Sequence, residues 1–161
     1  MHSRTIPLVA AILIFVTRAL VAQAMPDDLA PAPSVENGLY LTGFRSPSTG
    51  LEFRLGSFGL HGGWYPTILE ADGQNEGQNT NFIRIGVSAF LRSRGVTPYV
   101  APALLLSLDD DWGNGVLSEA GVRVPVTRGF SLRGGVGVLT TFSGEVRVNP
   151  TIGFDLRVGR L

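Results

Sequence analysis

From residue 38 onward, the dominant period in the alternation of apolar and polar side chains is two. A period of two places one set on each face of a β-strand and fits no helix. The alternation is cleanest over 146–159. Val146, Val148, Pro150, Ile152, Phe154, Leu156 and Val158 share one face, and Arg147, Asn149, Thr151, Gly153, Asp155 and Arg157 share the other. The same reading predicts eight strands, over 38–45, 50–56, 58–66, 80–92, 96–108, 115–127, 130–142 and 146–159. No segment after residue 38 carries apolar residues at i, i+3, i+4 and i+7, so no helix is expected there. Tight turns at Gly56-Ser57, Ser93-Arg94-Gly95 and Thr127-Arg128-Gly129 separate connections such as 67–79 and 109–114, which are longer and more polar. Short turns at one end and longer loops at the other predict an all-β, eight-stranded antiparallel up-and-down barrel, whose closure leaves no free sheet edge. An even strand count puts both ends of the barrel segment at the short-turn end.

Period two does not say which face points inward. A soluble ligand-binding barrel turns its apolar face in, whereas a membrane barrel turns it toward lipid. Three features favour the membrane arrangement. The polar face is rich in glycine (Gly56, Gly59, Gly63, Gly86, Gly121, Gly135, Gly137 and Gly153), which suits a crowded eight-stranded lumen and would only weaken a solvated face. The same face mixes Glu52, Glu119 and Asp155 with Arg54, Arg84, Arg123, Arg133, Arg147 and Arg157. Buried charges must pair, and arginine is the best bidentate partner for a carboxylate. Finally, Phe58 and Phe130 lie at the short-turn end of the apolar face and Trp64 and Phe142 at the other, the placement of interfacial aromatic girdles. Charged residues make up 16% of the chain, below the quarter or so of soluble domains, and none is lysine.

The first 24 residues read as a cleaved signal peptide. His2 and Arg4 precede an apolar run from Pro7 to Val16, and Ala22-Gln23-Ala24 forms an A-x-A cleavage site. Arg18 interrupts the apolar stretch, which falls short of the roughly 20 residues of a membrane-spanning helix. Residues 25–37 are expected to form a short extended periplasmic tail, and 38–161 the barrel.

The segments GLEFRLG (50–56), GVTPYVAPAL (95–104) and NPTIGFDLRVGRL (149–161) make the chain resemble small eight-stranded outer-membrane proteins of the OmpA/OmpX and opacity-protein kind. The resemblance covers 38–161. It implies a porin-like transmembrane barrel in the outer membrane of a Gram-negative bacterium, inserted by the outer-membrane assembly machinery and surrounded by lipid and lipopolysaccharide. The resembling proteins usually end in an aromatic residue, whereas this chain ends in Leu161.

The remaining chemistry is sparse. Cysteine is absent, which excludes disulfides, thiolate metal sites and a cysteine nucleophile. No phosphate-binding glycine loop is present. A formal net charge of +0 gives nucleic acid no reason to bind. His61 is the one histidine outside the signal segment, and no serine is evident beside it at strand spacing, so no catalytic residue is assigned and no enzyme is expected. Asp109 and Asp111, in the DDDWGN loop, are weak candidates for a cation, without the spacing of a calcium loop. No cofactor is expected. The reading is a monomeric outer-membrane barrel with a structural or surface-interaction role and a salt-bridge-filled lumen. The alternative is a secreted or periplasmic soluble barrel around a small apolar ligand.

Overall fold

The computed structural model describes residues 36–45, 48–69, 78–91, 94–109 and 113–160. The signal segment, residues 25–35 of the tail, Asp111 and most of the 67–79 loop lie outside them. Eight antiparallel strands, β1 (Gly38–Arg45), β2 (Ser48–Leu55), β3 (Phe58–Leu69), β4 (Gln78–Phe90), β5 (Thr97–Ser107), β6 (Gly115–Thr127), β7 (Phe130–Thr141) and β8 (Val146–Arg160), form a closed barrel in chain order. No helix occurs among the described residues. All eight expected strands are present. The largest boundary difference is in β3, which runs on to Leu69 and pairs with β4 over its whole length.

Each strand pairs with its sequence neighbours, and β1 closes the barrel on β8 from Gly38↔Arg160 to Gly43↔Phe154. Both ends of the barrel therefore lie at the short-turn end. There the β2–β3 hairpin turns on Gly56-Ser57, with Leu55 opposite Phe58. Gly56 has φ +57° and Ser57 has no positive φ, the pattern of a two-residue II′ turn that requires glycine first. Gly129 (φ +89°) serves the β6–β7 turn, next to a register shift between Pro125 and Thr127.

The interior fills in two layers. Toward the turn end, the inward side chains are mostly charged and aromatic. Toward the loop end, Tyr65, Phe82, Leu105, Leu117 and Leu139 form a wholly buried apolar cluster. Glycines admit the strand backbones to this crowded space. A Cβ on Gly135 would meet the Ala120 carbonyl and lie 2.8 Å from the Gly121 Cα. Outside, the aliphatic rows are bare: Leu51, Leu60, Ile85, Val136, Ile152 and Val158 are all exposed.

Candidate functional site in the barrel lumen

Alternation along β2, β4, β6, β7 and β8 turns every second side chain inward, and the barrel gathers the charged ones into a buried cluster near the turn end. Glu52 and Arg54, two residues apart on β2, face inward together and pair at 2.7 Å. Arg133 of β7 also donates to Glu52. Asp155 of β8 receives three arginines: Arg54 at 2.9 Å, Arg123 of β6 at 3.0 Å and Arg133 at 2.7 Å. Gly59, opposite Arg54 on β3, leaves the space that the Glu52 carboxylate occupies.

A second set lies beside the first. Arg84 of β4 donates through Nη1 to Glu119 of β6 at 2.9 Å, and the Tyr99 hydroxyl donates to the other oxygen of Glu119. Arg84 Nε donates to His61 Nε2 at 3.1 Å, and His61 Nδ1 lies 3.1 Å from Ser88 Oγ. Since Nε2 accepts from an arginine, the proton of a neutral ring sits on Nδ1 and is donated to Ser88. A serine does therefore stand beside His61, contrary to the sequence expectation, because β3–β4 pairing sets Gly59 opposite Ser88 and His61 one step along the ladder. The pair is not arranged for nucleophilic attack: a base must accept the serine proton, and an acid rather than an arginine must orient it. Both side chains are also buried within the barrel.

Four buried arginines (Arg54, Arg84, Arg123 and Arg133) face three buried carboxylates (Glu52, Glu119 and Asp155). Aromatic faces take up part of the positive excess. The Arg54 guanidinium carbon sits 3.8 Å from the Tyr40 ring centroid and 4.8 Å from that of Phe90. Arg133 lies 5.0 Å from Tyr99 and 5.7 Å from Phe90. A desolvated cation–π contact is worth about 2 kcal/mol. This is why Arg54 is tolerated with its Nε and Nη1 making no hydrogen bond among the described residues.

Of the nine charged residues expected in the lumen, the structure brings seven into these two connected sets. Arg157 lies at the turn-end mouth, paired with Glu36. Arg147 is half-buried at the loop end of β8, opposite Leu139, eight residues or about 26 Å of strand from Asp155. Among the aromatic residues, Phe58 and Phe142 are 67% and 70% exposed at opposite ends, and Phe130 opens β7 after its turn. Trp64 is exposed and donates to Asn81 Oδ1 at 3.1 Å. It sits opposite Thr49, where β2 begins, but five residues short of the end of β3. Asp109 is occupied as a cap, accepting the Asn81 backbone N–H at 2.6 Å. Among the described residues, no three His, Asp or Glu side chains group as metal ligands.

Sequence reasoning missed the apolar layer and the arginine stacks. Leu105 and Leu117 sit at inward parity within apolar runs (ALLL at 103–106 and VL at 116–117), where alternation in polarity is lost and only strand parity reveals them. No protein-family model, curated protein or solved structure matches the chain.

Proposed function

We propose that the chain is a monomeric integral protein of a Gram-negative outer membrane, with a structural or surface-interaction role and a lumen that serves as a salt-bridged core. The supporting observation is the outer surface. Among the described side chains, no outward position of β1–β8 is charged except Arg160, at the very end of β8. Twenty-five large apolar side chains of the described residues are exposed on or beside these strands. The largest apolar patch on a typical soluble monomer covers roughly 300–600 Å², and a band circling a whole barrel exceeds that several-fold. A strand of about 12 residues tilted by roughly 40° spans about 30 Å, enough to cross the hydrocarbon layer. A soluble barrel around an apolar ligand needs these aliphatic rows inside, where the charged groups, aromatic rings and one close-packed leucine cluster stand instead.

Lipid, lipopolysaccharide and the outer-membrane assembly machinery are the partners this reading implies. Fractionation of expressing cells tests it. The protein is expected in the outer-membrane fraction, resistant to carbonate wash, extracted only by detergent, and faster on a gel unboiled than boiled. Release into the soluble fraction with no mobility shift overturns the reading.

A further inference from the structure

At the turn end, β8 outruns its neighbour. Leu156, opposite Phe130, is the last residue of β8 in register with β7, and β8 continues four residues further to Arg160. The Arg157 amide still bonds to the Gly129 carbonyl at 2.7 Å, and past it the β7 side of the strand has no partner strand. The resulting notch has a volume of about 320 Å³. Three arginines line it (Arg128, Arg157 and Arg160), and among the described residues no acid does. Arg157 is held by Glu36, but Arg128 and Arg160 are exposed and no carboxylate among the described residues pairs with either. The outer wall is apolar, formed by Phe130, Leu156 and Val158, which continue into the bare aliphatic band.

We infer that this notch binds the phosphodiester of an anionic glycerophospholipid in the leaflet at the turn end, with its acyl chains against Phe130, Leu156 and Val158. Two unpaired guanidinium groups match the charge and planar donor geometry of a phosphate. An unpaired strand edge adds backbone donors. The adjoining apolar wall gives a lipid an advantage that a free phosphate lacks. The inference rests on the membrane reading above.

The test is native mass spectrometry of the protein released from vesicles of phosphatidylcholine containing phosphatidylglycerol, comparing the lipids that stay bound. Wild type is expected to retain phosphatidylglycerol about tenfold over phosphatidylcholine. At about fivefold per interfacial arginine, Arg128→Gln with Arg160→Gln is enough to abolish that tenfold preference. Arg94→Gln, in another turn at the same end, leaves it unchanged. Equal loss in Arg94→Gln assigns the preference to general surface charge and overturns the notch. Displacement of phosphatidylglycerol by millimolar inorganic phosphate overturns the lipid assignment. Insertion of wild type with no lipid preference overturns this inference alone, whereas failure to insert overturns the membrane reading together with it.

Discussion

Asp155→Asn removes the carboxylate on which the buried arginines converge. Asp155 is wholly buried and lies within 3.0 Å of Arg54, Arg123 and Arg133. An asparagine keeps the volume but leaves those three cations facing Glu52 alone, raising the local excess from one positive charge to two. Breaking a buried ion pair by removing one partner costs about 3–5 kcal/mol, and Asp155 serves three partners, so the upper part of that range is expected. The assay is urea unfolding of the barrel in phospholipid vesicles, followed by tryptophan emission, with the midpoint falling and the slope unchanged. Arg123 supplies the internal control, because its ion pair is with Asp155. Adding Arg123→Gln to Asp155→Asn restores the original local balance and recovers about 1–3 kcal/mol as coupling. A cost below about 1 kcal/mol for Asp155→Asn, the range of exposed ion pairs, with no rescue, would refute the view that these charges form a dry structural core.

Two further predictions use the opposite faces of the wall. Gly135→Ala puts a methyl group against the Ala120 carbonyl and Gly121 backbone and costs about 1–3 kcal/mol, whereas Gly134→Ala, with nothing within 4 Å, stays within about 0.5 kcal/mol in the same urea titration. Ile152→Arg, midway along β8 and 76% exposed, lowers stability in bilayers by about 2–4 kcal/mol, a cost that water around the barrel would erase.

Strand number, order and face were legible because one face of nearly every strand is predominantly apolar and uncharged and the other mixes glycine with charge, as in Arg84-Ile85-Gly86-Val87. That contrast forces register, since a one-residue slip exchanges the two faces. What could not be read depends on contacts between strands far apart in sequence. Glu52 meets Arg133 across 81 residues, and nothing in the sequence distinguishes that pairing from one with Arg147. The apolar layer was hidden for a different reason: Leu105 between Leu104 and Leu106 carries no polarity signal, and only the register of the β5–β6 and β6–β7 pairs sets it near Leu117 and Leu139. The length of β3 past Pro66 was missed because proline argues against a continuing strand.

The most direct measurement is a nitroxide scan along β8. The described residues contain no cysteine, and the full sequence has none, so single substitutions from Val146 to Val158 label cleanly. In bilayers, collision with molecular oxygen, which concentrates in hydrocarbon, is predicted to oscillate with a period of two, with maxima at Val148, Ile152 and Leu156 and minima at the half-buried inward positions Arg147, Asn149 and Arg157. Maxima at Val148, Ile152 and Leu156 for a water-soluble nickel chelate instead of oxygen would contradict it, because those aliphatic side chains would then face water.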